Sequence, residues 1–327
     1  MKIFKKNKSI FFSFLLTFFS LPSLALAHVK WFAEEKETVR PYELTDLPVV
    51  LAIILSVIVV NIGIFLEKKL NTPKWFDRSL EKVAPFVLSL ASIGFGLSFL
   101  IFSYYGFIFA PNLIPESLLG ERLIWLQALA GAMIFLGIYE RIGGLLLIVL
   151  FGFAIKEYGF LEMMDTLEMV GFAFYAMIVG RPKWQLIDTK SFTTLIHKVH
   201  SYGLPLLRVG TGLNLMILGF SEKILNPSLT ANFLSSYNWN FMHTLGFEGF
   251  TDYWFAFSAG AAETLFGLFF LLGLVTRTTT IALAVFLVTT LYLLGPVELI
   301  GHLPHFSIAI VLLVLGAGAR LRVGRKE

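Results

Sequence analysis

The feature that most constrains this chain is a series of apolar stretches, most of them about as long as a membrane-spanning helix. A bilayer core requires about 20 apolar residues in helical form, because each residue adds about 1.5 Å. Only 15% of the 327 residues are charged and the mean hydropathy is +0.78, which excludes an ordinary soluble domain. The sequence therefore predicts an all-α, polytopic membrane helix bundle. We expect nine mature transmembrane helices: Leu47–Leu66, Pro85–Phe109, Leu123–Ile138, Gly143–Ile155, Leu167–Gly180, Leu204–Leu225, Tyr253–Leu274, Thr280–Leu299 and Leu303–Ala319.

The first 27 residues have the pattern of a secretory signal peptide. Four lysines precede a short apolar core at residues 10–21, and Ala25-Leu26-Ala27 fits the small-x-small cleavage pattern. Cleavage there would leave His28 as the first residue, whereas an uncleaved anchor is the alternative.

Basic residues accumulate in alternate loops, which predicts the orientation of the helices. The positive-inside rule places Lys and Arg excess on the cytoplasmic side. With nine spans we expect a multi-pass protein of the plasma (inner) membrane, its N-terminus outside (periplasmic) and its C-terminus cytoplasmic. The segments then predicted to lie inside are the cluster at residues 68–82, Arg141, the linker at residues 181–198, Arg277 and the C-terminal tail.

Two parts of the chain share one layout, which indicates a duplication. The stretch from Ala261 to Arg277 repeats that from residue 125 to Arg141 at an offset of 136, so that Gln127 stands where the later stretch has Glu263. Earlier glycine motifs match at an offset of 116. We expect two parallel four-helix repeats, a degenerate one at residues 84–188 and a second at 189–327 that includes the basic tail. Residues 28–83 would form an outer segment, the extra first span and an inner surface helix.

Two charges inside the apolar runs are candidates for a site. Arg208 and Glu263 have Ser92 and Gln127 at the matching positions of the first repeat, so both charges are absent there together. Because an unpaired buried charge is heavily penalised, this joint replacement predicts an ion pair. The pair could lock two helices, or it could be a proton or cofactor-binding site.

Four histidines predicted to lie outside are candidate metal ligands. His302 and His305 are spaced to share one helix face, His243 lies in the outer loop, and a mature N-terminal His28 would offer its amine and ring to Cu(II). The alternative is that they are interfacial histidines bonded to loops. The chain has no cysteine, which excludes thiolate-bound metals, disulfides and iron–sulfur clusters within it.

The second repeat resembles the DoxX family of four-helix membrane proteins. The resemblance rests on Leu207-Arg208-Val209-Gly210 to Lys223, on Glu263 to Thr276-Arg277, on Gly301-His302 and on the closing Leu315-Gly316-Ala317-Gly318, and covers about Leu204 to Leu321. The family is named for a subunit of a thiosulfate:quinone oxidoreductase, and other members look like membrane partners of redox enzymes. The resemblance implies inner-membrane residence and association with quinones or redox partners.

These observations leave three functional hypotheses. The first is a membrane subunit or partner of a quinone-linked redox system, with lipid bilayer and a redox-enzyme subunit as partners. The second is an outward-facing copper-binding protein that uses His28, and the third is a small-molecule transporter built on parallel repeats. Whether the chain is an enzyme is open. The basic residues lie in short loops that set orientation, so we expect no nucleic-acid partner.

Overall fold

The computed structural model describes residues 38–69, 74–187, 193–237 and 239–323. The predicted signal peptide and His28 lie outside the described residues. Regular structure within these ranges is helical, with two isolated bridges and no strand. The helices are α1 (Leu47–Lys69), α2 (Lys74–Tyr105), α3 (Leu118–Leu136), α4 (Glu140–Tyr158), α5 (Phe160–Met164), α6 (Leu167–Ile178), α7 (Thr193–Ile217), a π-helix (Leu218–Leu225) that continues α7, α8 (Pro227–Tyr237), α9 (Phe241–Thr244), α10 (Asp252–Leu272), α11 (Thr276–Leu294) and α12 (Pro296–Leu315).

The prediction of a helical membrane bundle is confirmed. Each of the nine predicted spans coincides with a helix, namely α1, α2, α3, α4, α6, α7 with its π-helix, α10, α11 and α12. In the described part of the chain, five helices are long and apolar enough to cross a membrane by themselves: α1, α2, α3, α10 and α7 together with the π-helix. The remaining apolar helices are shorter or carry more charge, so the count of nine spans stays a prediction.

Helix α1 shows most clearly which surfaces face lipid. Its buried residues are Val49 and Gly63, while leucines and isoleucines are exposed around the rest of its surface. A helix that is apolar on all sides is stable when it is surrounded by hydrocarbon. Gly63 allows α1 to lie against Phe269 of α10, since a β-carbon there would come within 3.0 Å of that ring.

The other eight long helices form a closed ring. Within the first set α2 packs on α3, α3 on α4 and α4 on α6; within the second set α7 packs on α10, α10 on α11 and α11 on α12. The last helix of each set packs on the first helix of the other, α6 on α7 and α12 on α2. The core of the first set is aromatic, with Phe95 of α2 stacked on Phe172 of α6 at 3.9 Å between ring centroids.

Corresponding positions of the two sets have the same local geometry. A β-carbon on Gly96 would meet the backbone of Gly131 and Phe135, and one on Gly212 would meet the backbone of Gly267 and Leu271, which lie at the expected offset. In both sets glycine therefore permits close approach of the first and second helices.

Helix ends and two half-buried arginines also have matching contacts in the two sets. Gly137 and Gly273 end α3 and α10 with φ of 67° and 68°, a left-handed conformation that glycine adopts without steric cost. Arg141 donates to Ile178 and Val179 carbonyls, and Arg277 donates to Leu313 and Val314 carbonyls. The duplication of residues 84–188 and 189–327 stays a prediction, and these are the positions at which the two parts have the same local geometry.

Residues 38–46 hold the start of α1 against the second set. Tyr42 donates its hydroxyl to the Tyr253 carbonyl at 2.6 Å, and Val39 N donates to Ser228 Oγ at 2.9 Å. Asp46 begins α1 and accepts a hydrogen bond from Arg40, which holds the pKa of this carboxyl below its ordinary value. The segment thus contacts the bundle at the starts of α8 and α10.

Candidate functional site

The predicted ion pair between Arg208 and Glu263 is wrong. Arg208 is fully buried and lies beside Gly273, at the end of α10, where it donates to the backbone carbonyls of Arg320 and Leu321. Glu263 lies ten residues earlier on α10, roughly 15 Å away along a helix axis. The sequence pattern correctly placed charges in the second half but paired the wrong two residues.

The partner of Glu263 is Lys223. Lys223 Nζ donates to Glu263 Oε2 at 2.7 Å, and the two side chains are 7% and 15% exposed. Two glycines allow this contact, because a β-carbon on Gly219 would lie 2.7 Å from the Gly260 carbonyl and one on Gly260 would lie 2.7 Å from Gly219 O. The two helices thereby approach closely enough for a lysine and a glutamate to meet inside the bundle.

The π-helix contains several buried polar side chains in a row. Ser221, Glu222 and Lys223 are consecutive and all buried, with Glu222 fully so. A π-helix uses a wider backbone turn than an α-helix, and such segments often occur at functional sites. Glu222 and Glu263 both lie close enough to the Lys223 ammonium to interact with it electrostatically. The π-helix and α10 thus bring three ionisable side chains together inside the bundle.

The positions of the first half that correspond to the Lys223–Glu263 pair hold uncharged residues. Gln127 stands at the position of Glu263 and Phe107 at the position of Lys223. Gln127 is fully buried; its Nε2 donates to the Phe107 carbonyl at 2.8 Å and its Oε1 accepts from Phe109 N at 2.8 Å. Its hydrogen bonds are satisfied by backbone groups, so this half needs no charge.

A second buried pair joins the two halves. His305 of α12 has its Nε2 within hydrogen-bond distance of Glu168 Oε1 on α6, with side chains 8% and 3% exposed. His302 lies one turn earlier, its ring centroid 4.9 Å from that of His305. The predicted shared face of the two histidines is thus observed, and their neighbour is a carboxylate that the sequence analysis did not single out. The sequence feature that could have identified Glu168 is its position, as an acidic residue near the start of an apolar helix.

The metal hypothesis gains no support from the described residues. They contain no group of three or more His, Asp or Glu side chains placed to hold a metal ion. His243 is exposed on α9, where its Nε2 lies 3.1 Å from the Phe250 carbonyl. A copper chelate at His28 remains a prediction, because that residue lies outside the described ranges.

The Lys223–Glu263 pair combines a proton donor and a proton acceptor inside the membrane part of the bundle. An ammonium group has three N–H donors, and Lys223 gives one of them to Glu263, while Glu222 lies close enough to interact with the same positive charge. Burial makes each charge depend strongly on the other, so a ligand that exchanges a proton with either group would change the balance of the pair.

Comparison with known families places this cluster inside a recognised domain. The DoxX family model matches residues 203–296, a range that includes Arg208, the π-helix and Glu263 but ends before His302. No curated protein and no solved structure matches the chain. The resemblance predicted from the sequence is confirmed over that range. The chain is therefore a helical membrane protein whose residues 203–296, in its second half, match the DoxX family model.

Proposed function

We propose that this protein is an inner-membrane subunit of a quinone-linked redox system. The proposal rests chiefly on the buried pair of Lys223 and Glu263, held by a π-helix within the DoxX domain. Charged groups inside a membrane protein are costly, and they commonly mark sites of proton or ligand handling.

The chemistry of the pair fits a quinone. Reduction of a quinone to a quinol consumes two electrons and two protons, so its site needs hydrogen-bond donors to a carbonyl oxygen and a group that delivers protons. Lys223 would donate to the carbonyl oxygen, and Glu263 would hold or release a proton beside it. The neutral Gln127 and Phe107 of the first half could not exchange protons, so the proposal assigns the site to the second half alone.

Electrons would come from a partner subunit. The chain has no cysteine, so it cannot carry an iron–sulfur cluster or a disulfide relay. The exposed apolar surface of α1 and of the ring gives such a subunit, as well as lipid, a surface to contact. We further propose that the N-terminus is periplasmic and the C-terminus cytoplasmic, as the distribution of basic residues indicates.

Quinone content of the purified protein tests this function. We expect membrane-extracted protein to retain quinone, and Glu263→Gln to lower its quinone content by roughly tenfold, as expected for loss of one charge-assisted interaction. Glu121→Gln is the matched control, because this exposed carboxylate on α3 lies in the first half. Absence of quinone from the wild type, together with unchanged membrane electron flux in Glu263→Gln, would contradict the proposal.

A further inference from the structure

A crevice lies at the end of the second half remote from the Lys223–Glu263 pair. Its volume is about 820 Å³, and it opens between the end of α1, the start of α2 and the start of α11. One part of its lining is apolar, with Leu66, Phe76 and Ile281. Another part carries charge, including Arg277 and Arg322, so the crevice is amphipathic.

The two arginines of the lining are paired to different extents. Arg277 donates to Asp77 Oδ1 at 2.8 Å and to the Leu313 and Val314 carbonyls, so each of its three guanidinium nitrogens has a partner. Arg322 Nη1 lies 4.0 Å from Glu67 Oε1, the limit of an ion pair, and its buried Nε has no hydrogen-bond partner within the described ranges. Arg322 is therefore the arginine with donor capacity to spare.

Arg208 adds a positive charge directly behind Arg322. A β-carbon on Gly273 would contact both Arg208 Nη1 and Arg322 Cβ, so the two side chains are neighbours. Arg208 is fully buried, and its Nε and Nη1 have no hydrogen-bond partner among the residues described. Leaving donors of a buried cation unsatisfied costs free energy. Since Glu67 is also the neighbour of Arg322, one carboxylate faces two arginines.

We propose that this crevice binds an anionic phospholipid, with the phosphate at Arg322 and an acyl chain along the apolar lining. A phosphate oxygen accepts charge-assisted hydrogen bonds from a guanidinium and would supply the missing negative charge opposite Arg322 and Arg208. The membrane supplies such a lipid at this depth, and exposed Lys68 and Lys69 at the end of α1 add to the attraction. This site is independent of the proposed quinone site.

The first half contains a related crevice that serves as an internal control. Arg141 lines it, 136 residues before Arg277, together with apolar side chains that include Leu145 and Ile196. Its volume is about 240 Å³. Leu186 stands at the position that corresponds to Arg322, so this crevice has no second arginine. We therefore expect no preference for anionic lipid there.

Native mass spectrometry of the full-length protein tests the proposal. We expect phosphatidylglycerol to be retained roughly tenfold more strongly than phosphatidylcholine with the same acyl chains, as for one charge-assisted contact. Arg322→Gln should remove this preference and Arg141→Gln should keep it. Equal retention of both lipids, loss of the preference in Arg141→Gln, or equally tight binding of inorganic phosphate alone would overturn the proposal.

A second measurement uses the wild-type protein, so its result does not depend on whether Arg322→Gln folds correctly. Trp75 lines the crevice, so brominated phosphatidylglycerol should quench its fluorescence. The quenched component should be absent from Trp75→Phe and weaker with brominated phosphatidylcholine. Quenching that is the same for both lipids would contradict an anionic site.

Discussion

Replacing Lys223 by methionine should destabilise the protein far more than replacing both members of the pair. Lys223→Met leaves the carboxylate of Glu263, which is 15% exposed, without its counter-ion. Removing one partner of a buried ion pair costs about 3–5 kcal/mol, because the remaining charge is uncompensated. Glu263→Gln should cost less, about 1–3 kcal/mol, since the amide oxygen can still accept from Lys223 Nζ.

The double variant Lys223→Met/Glu263→Gln should recover much of this loss. It resembles the arrangement of the first half, where Phe107 and Gln127 form no charged pair. Replacement of a buried ion pair by groups of similar volume is often nearly neutral, but the fully buried Glu222 also loses the nearby ammonium, so we expect a total cost of about 1–3 kcal/mol. The coupling free energy between the two positions is then about 4 kcal/mol in favour of the pair, taken from the middle of each range, which is large for a double-mutant cycle.

Reversible unfolding in mixed micelles, followed by circular dichroism as the denaturing detergent is increased, measures these free energies. The exposed Glu121→Gln on α3 is the control, and it should change the free energy of unfolding by less than about 0.5 kcal/mol. Additive single costs, with a coupling free energy below about 0.5 kcal/mol, would refute the pairing.

Three further variants test other parts of the structure in the same unfolding assay. Gly219→Ala should cost about 1–3 kcal/mol because its β-carbon would lie 2.7 Å from a backbone oxygen, whereas Gly152→Ala, with nothing within 4 Å, should not destabilise. His305→Leu should cost about 1–3 kcal/mol by leaving the buried Glu168 carboxylate without its partner, and no loss would contradict that contact. Arg181→Met should cost about 3–5 kcal/mol, because it breaks the buried 3.0 Å ion pair between Arg181 and Glu140 in the first half. An unchanged free energy of unfolding would refute the burial of this pair.

The helices were predictable because their apolar stretches satisfy a simple length requirement. The comparison of Gln127 with Glu263 at one offset also showed which half has a carboxylate at this position. Both features can be seen in the sequence alone, and the apolar stretches that contain Gln127 and Glu263 form α3 and α10.

The partner of Glu263 was not predictable in the same way. Lys223 lies near the outer end of the predicted span Leu204–Leu225, where a lysine side chain commonly extends to the membrane surface, but the π-helix keeps it inside the bundle. Within the π-helix, Gly219 lies against Gly260 of α10, a contact between distant segments that no local sequence pattern predicts. Arg208 is held by backbone carbonyls 112 and 113 residues away, and such acceptors have no signature in the sequence.

Photolabelling with a light-activated quinone analogue tests the central claim most directly. The wild type, labelled in its native membrane and analysed by peptide mass spectrometry, should carry the label on the segments that contain Lys223 and Glu263. Excess unmodified quinone should compete the label away, and Glu263→Gln should carry much less of it. Labelling confined to the first-half segment around Gln127, or labelling that competitor does not reduce, would contradict the account.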